Sequence, residues 1–95
     1  MPTYIAHVDV DGMEYQNPQE FVSIWGSIRE DVQQAGGEIL DTHAVLGPYD
    51  FDVRFRVDDD DEAFRVTQLI ERHGLDTETY QALPVDRLGE IVDDV

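Results

Sequence analysis

Tyr4, Ala6, Val8 and Val10 alternate with Ile5, His7 and Asp9, the period-two pattern of a strand with one face buried. Asp11-Gly12 closes that strand and a loop follows to residue 17. The pattern then changes period. Phe21, Ile24, Trp25, Ile28, Val32 and Ala35 recur at helical spacing and form one stripe. Asn17-Pro18-Gln19-Glu20 is the matching start signal: Asn17 at the N-cap, Pro18 at the first helical position, and Glu20 where a capping-box acid belongs. Gly36-Gly37 ends the helix, with one glycine in the left-handed conformation.

Alternation returns at Glu38–Leu46 and again at Tyr49–Val57, separated by the turn pair Gly47-Pro48, which reads as a hairpin. In the second of these strands Phe51, Val53, Phe55 and Val57 share one face, and Asp52, Arg54 and Arg56 share the other. Four aspartates, Asp58 to Asp61, then open a second helix whose buried face is Ala63, Val66, Leu69 and Ile70. Carboxylates suit the positive end of a helix dipole, and Arg72 and His73 suit its last turn before Gly74. Thr77–Leu83 is a fourth strand. Pro84–Val95 is a short final helix carrying Val85, Leu88, Ile91 and Val92.

The order βαββαβ plus a C-terminal helix predicts one α+β domain over residues 1–95, with a ferredoxin-like antiparallel sheet covered by helices on one face. Two helix stripes cover a single side of such a sheet. The other side collects Ile5, His7 and Asp9 from the first strand and Asp52, Arg54 and Arg56 from the third. Continued alternation adds Ile39, Asp41, His43 and Val45 from the second. This face either meets water or meets a second subunit.

Charge changes the setting. The chain has 95 residues, 22 acids, 6 basic residues that are all arginine, and a formal net charge of −16. Repulsion of that size strains a small domain in dilute salt, but at about 1 M salt the Debye length is ~3 Å and surface carboxylates are screened. An acid-rich, lysine-free composition resembles the cytoplasmic proteins of extreme halophiles, and points to a halophilic, archaeal source. The aspartate run then needs no role beyond a solvated helix start. No basic stripe exists to displace counterions from phosphates, so nucleic acid is not an expected partner. No apolar run approaches the roughly 20 residues of a membrane span, no basic leader segment is present, and a cytoplasmic location is expected. There is no cysteine, which removes disulfides and thiolate metal sites.

In order along the chain, "AGGEILDTH", "AVLGPYDFDVRF", the acidic helix and "TYQALPVDRL" resemble the GYD-domain family. Its Gly-x-Tyr-Asp pattern stands here as Gly47-Pro48-Tyr49-Asp50, its glycine pair as Gly36-Gly37, and its small-residue and proline stretch as Ala82-Leu83-Pro84. The resemblance departs at Arg54 and Arg56, where family members are more apolar, and in the first loop, which lacks basic residues. It implies a dimeric α+β barrel, two ferredoxin-like sheets face to face, whose inner faces line a cavity. It implies no reaction and no cofactor.

Candidate chemistry gathers on the second sheet face and the hairpin. Tyr49 and Asp50 either build the turn or orient a ligand at a cavity mouth. His7 and His43 are polar lining or interface residues. A metal shared between them is disfavoured, because an intervening strand holds them roughly 10 Å apart. Arg54 and Arg56 either pair with Asp9, Asp41, Asp52 or a second subunit's acids, or bind a carboxylate or phosphate bidentately. Three functions remain open: binding or regulation through a polar or anionic small-molecule ligand, an interaction subunit without a ligand, and a cofactor-independent monooxygenase- or isomerase-like enzyme. The expected assembly is a homodimer or higher homo-oligomer.

Overall fold

The computed structural model describes residues 2–10 and 18–92. The elements are β1 (Thr3–Asp9), α1 (Pro18–Gln34), β2 (Glu38–Ala44), β3 (Phe51–Arg56), α2 (Asp60–Glu71), β4 (Asp76–Ala82) and α3 (Val85–Ile91). The expected Asn17 cap and the loop before it lie outside the described residues. The strands form one sheet in the order β2-β3-β1-β4, with antiparallel neighbours throughout. This is the ferredoxin-like arrangement that the periodicity predicts.

The expected barrel is overturned. The sheet is open, with β2 and β4 as free edges. Four strands are half of the roughly eight that close around a packed interior. The barrel is what the family resemblance implies, and no pattern in these strands supports it. The chain's core lies instead on the one face that the helices cover. Tyr4, Ala6 and Val8 from β1, Phe51, Val53 and Phe55 from β3, and Val57 after it are buried against Trp25, Ile28 and Val32 of α1 and Ala63, Val66, Leu69 and Ile70 of α2. Full burial of each such large side chain stabilises the fold by about 1.5–3 kcal/mol. Phe51 meets Trp25 edge-on at 5.5 Å, and Tyr4 stacks on Phe55 at 5.4 Å.

Three turns explain where the elements stop. Gly36 has φ +92° after α1, Gly47 has φ +135° in the β2–β3 connection, and Gly74 has φ +83° after α2. A side chain is strained in each conformation. Asp59 caps α2, its carboxylate accepting from the Glu62 amide, and Asp60, Asp61 and Glu62 fill the first turn. The helix ends at Glu71, two residues before His73, so Arg72 is the C-cap and the last turn holds no cation.

Strand β2 departs from uninterrupted alternation. Its register shifts between Ile39 and Asp41, so Leu40 is an extra residue. Ile39 pairs with Phe55 and is buried, while Asp41 pairs with Arg54 and His43 with Asp52. Ile39 therefore belongs to the core and not to the second face. Asp41 and His43 do lie on that face.

Candidate functional site

The uncovered sheet face brings together residues from all four strands. The registers place His7 opposite Asp52 on one side and Glu78 on the other, and Ile5 opposite Arg54 and Tyr80. His7 is the centre of this surface. Its Nδ1 lies 2.6 Å from Asp52 Oδ1, its ring stacks on Tyr49 at 4.6 Å and 12°, and Tyr80 meets it edge-on at 5.4 Å. The imidazole is thus held from three directions. Its second nitrogen has no hydrogen-bond partner among the described residues, and the side chain keeps 28% of its surface exposed.

Tyr49 reaches the face from the hairpin turn, just outside β3. Its hydroxyl donates to Glu78 on β4, and that bond, the leading cause, pushes the phenol up to about 12. Tyr49 therefore links the β2–β3 turn to β4 across the His7 ring. Asp50 does something different. Its Oδ2 accepts from the Val10 amide at 2.8 Å, and its own amide donates to the Val8 carbonyl at 2.9 Å. Those bonds fasten the turn to the end of β1, so Asp50 holds the backbone that delivers Tyr49.

The arginines form a second group nearer the β2 edge. Arg54 donates through Nε at 2.9 Å and Nη2 at 2.5 Å to one oxygen of Asp41, and Arg56 Nη2 donates to Glu38 at 2.7 Å. The Arg54 guanidinium holds the Asp41 carboxyl below its ordinary value, and Asp41 in turn raises Arg54. His43 stands 3.7 Å from the other Asp41 oxygen and is largely exposed. The strand order puts β3 between β1 and β2, so His7 and His43 both flank Asp52 and do not meet. Among the described residues no cluster of His, Cys, Asp and Glu is arranged to hold a metal ion.

Of the residues singled out from the sequence, His7 and Tyr49 come together, Arg54 and Arg56 lie beside them, His43 stands at the edge, and Asp50 is exposed and tied to the end of β1 instead of joining the group. Glu78 and Tyr80 were missed. Both sit on β4, whose inward positions Thr77, Thr79 and Gln81 are polar, so alternation gave that strand no phase. The signal that finds them is the ferredoxin-like strand order itself, which makes β4 the neighbour of β1.

No helix among the described residues is long and apolar enough to cross a membrane. Comparison with protein families matches residues 4–92 to the GYD domain. No curated protein matches the chain.

Proposed function

From the premise that the chain belongs to the GYD-domain family, we propose that it is a small-molecule-binding or regulatory domain whose ligand lies on the uncovered sheet face. The observation that carries this reading is the His7 ring, stacked on Tyr49, edged by Tyr80 and hydrogen-bonded to Asp52, with one nitrogen left for a ligand. A polar or anionic molecule spans the distance from His7 to the Arg54 and Arg56 guanidiniums. An anion would exchange with Asp41 for Arg54, since that pair is solvent-exposed and such pairs are weak. The domain acts in a salt-rich cytoplasm as a homodimer or higher homo-oligomer, a setting supported by 22 acids against 6 arginines.

The test is a titration of the isotope-labelled protein in molar KCl with inorganic phosphate and with a short dicarboxylate, following the His7 imidazole signals. Saturable shifts that vanish in the Arg54→Gln/Arg56→Gln variant support the site. Guanidinium signals of Arg54 and Arg56 that stay unresponsive along with those of His7, with both probes, reject the anionic form of the reading. A panel of uncharged polar compounds then decides the rest.

One observation favours a second reading. Asp52 orients His7 as a carboxylate orients a general base, which is what a cofactor-independent enzyme needs. That reading requires His7→Gln to abolish a turnover that Arg54→Gln merely weakens.

A further inference from the structure

Helix α2 does not seal the sheet at its β4 edge. β4 turns Thr77, Thr79 and Gln81 toward the helix, where β1 and β3 turn Ala, Val and Phe, and the gap left is an open groove of about 480 Å³. Asp60, Phe64, Thr67 and Glu71 of α2 form its other wall, at the i, i+4, i+7 and i+11 positions of one helix face. The two carboxylates stand at opposite ends, and each is braced by a hydroxyl from the sheet. Tyr4 donates to Asp60 Oδ1 at 2.5 Å, and Thr77 donates to Glu71 Oε2 at 3.0 Å. Glu71 Oε1 also takes a long bond of 3.5 Å from Gln68. An ionised carboxylate accepts about four hydrogen bonds, so each end keeps acceptor sites for a ligand. Midway between them, Thr79 Oγ1 is buried and has no hydrogen-bond partner among the described residues, a cost that a donor in the groove would remove. Among the described residues no basic side chain lines the groove, and Phe64 is 72% exposed at its rim. Such a lining suits a ligand that is cationic at intervals and hydrocarbon between them.

We propose that this groove binds a linear aliphatic polyamine, with terminal ammonium groups on Asp60 and Glu71 and an internal ammonium beside Thr79. The spacing carries the choice. From Thr77 to Gln81, which pairs with Tyr4, β4 rises roughly 13 Å, and from Asp60 to Glu71 helix α2 rises roughly 16 Å. With an ammonium ~2.8 Å inside each carboxylate, roughly 8–11 Å remains between the terminal nitrogens. A chain of about nine bonds, at roughly 1.2 Å per bond, has that length. On one face of a strand the side chains repeat every ~6.6 Å, about the interval that three or four methylenes put between nitrogens. A single metal ion would satisfy one end only, because the carboxylates stand too far apart to share it, and an anion would meet repulsion at both. Salt does not remove the interaction. At about 1 M the Debye length is ~3 Å, which cancels long-range attraction to a chain of net charge −16 and leaves direct ammonium–carboxylate contacts. Glu78 and Tyr80 lie on the other face of β4, so the groove is separate from the His7 surface and does not depend on the ligand proposed there.

The test is a titration of the isotope-labelled full chain in molar KCl, following the methyl signals of Thr67, Thr77 and Thr79. Spermidine is compared with diaminooctane, of equal length but without the internal nitrogen, and with butylamine. Spermidine is expected to give saturable shifts in the groove and none at His7, and to bind more tightly than diaminooctane. Butylamine, with one ammonium, should bind about tenfold or more weakly than spermidine. Glu71→Gln, at an exposed position where the amide keeps the shape, should lower spermidine affinity by a similar factor with unchanged far-ultraviolet circular dichroism. Thr79→Val should abolish the advantage of spermidine over diaminooctane and leave diaminooctane binding as it was. No saturable shift with spermidine, or equal affinity for spermidine and butylamine, overturns the site, since the chain then attracts amines only as counterions. A Glu71→Gln variant that binds spermidine as the wild type does overturns it as well. An advantage that persists in Thr79→Val overturns the internal contact.

Discussion

Raising the pH perturbs the His7 face through one bond. Tyr49 donates to Glu78 and is pushed up to about 12, and Tyr4, donating to Asp60 at 2.5 Å, is pushed up to about 12 as well. At pH 11 a phenol of ordinary value near 10 is about 90% ionised, and one at 12 about 10%. The two residues therefore withhold about 1.6 phenolate equivalents at that pH relative to unperturbed phenols. Glu78→Gln replaces the carboxylate with a neutral amide, and should return up to about 0.8 of an equivalent. Tyr49→Phe should delete one of the two late-ionising signals, leaving that of Tyr4, without adding any at pH 11. Both folded values lie above the unfolded one, so the native state holds these protons more tightly. Their stabilisation is complete below pH 10 and is lost as the pH rises from 10 toward 12. Near-ultraviolet circular dichroism should accompany the absorbance titration, to show that the fold persists at pH 11.

Salt separates the direct bond from a diffuse field. A net charge of −16 raises phenols generally in dilute buffer, but at 1 M salt the Debye length is ~3 Å and that field is screened. A hydrogen bond is not removed by screening. The difference between wild type and Glu78→Gln should thus survive in molar KCl. Equal phenolate content in the two proteins at pH 11, or a difference that vanishes at high salt, refutes the Tyr49–Glu78 link and with it the brace across His7.

Three further outcomes follow from contacts elsewhere. A Cβ at Gly37 would stand 3.0 Å from Val32 Cγ1 and 3.2 Å from Val57 Cγ1, both in fully buried side chains. Gly37→Ala should cost about 1–3 kcal/mol, read as a lower denaturation midpoint at unchanged slope. Asp59→Ala removes the α2 cap and should cost about 1 kcal/mol in the same assay. Asp41 titrates below its ordinary value because Arg54 binds it, so its contribution to stability is present above the unfolded value and lost as pH falls through the lower folded one. In Arg54→Gln its carboxyl signal should move up to the ordinary carboxylate range, and an unmoved signal in carbon-detected resonance spectra would contradict the pairing.

The core was legible because β1 and β3 alternate without interruption. Tyr4, Ala6, Val8, Phe51, Val53, Phe55 and Val57 could be assigned to one face by counting, and the helix stripes met them there. Counting failed at Leu40, where one extra residue in β2 moves Ile39 to the core and leaves Asp41 and His43 outside. Nothing in "EILDTH" marks the bulge, since Ile and Leu are equally at home on either side of it. The site was half legible for a related reason. His7, Arg54 and Arg56 follow from strand phase, whereas the Tyr49 stack depends on how a turn residue folds over a neighbouring strand. Glu78 and Tyr80 depend on β4, which is polar on both faces and so carries no periodic signal. The barrel had no support from this chain's residues, and the open sheet replaces it.

Under the proposed binding role, the two groups on the uncovered face would take different parts of a ligand. Around His7 the fixed charges are negative: Asp52 at 2.6 Å, with Glu78 opposite in the register. A ligand there gains from offering a donor or a ring, to stack beside Tyr49 or Tyr80, and an anion placed there meets repulsion. Toward β2 the order is reversed, because Arg54 and Arg56 bring positive charge held by one carboxylate each. Those carboxylates keep the arginines pre-aimed and protect them from other acids in a chain that has 22 of them. They also make anion selection a competition: a weak monovalent acid gains little over Asp41, while a planar bidentate group can take both Arg54 donors at once. On the proposed binding role, the ligand that would fit both ends has a polar or aromatic head over His7 and a carboxylate or phosphate toward Arg54.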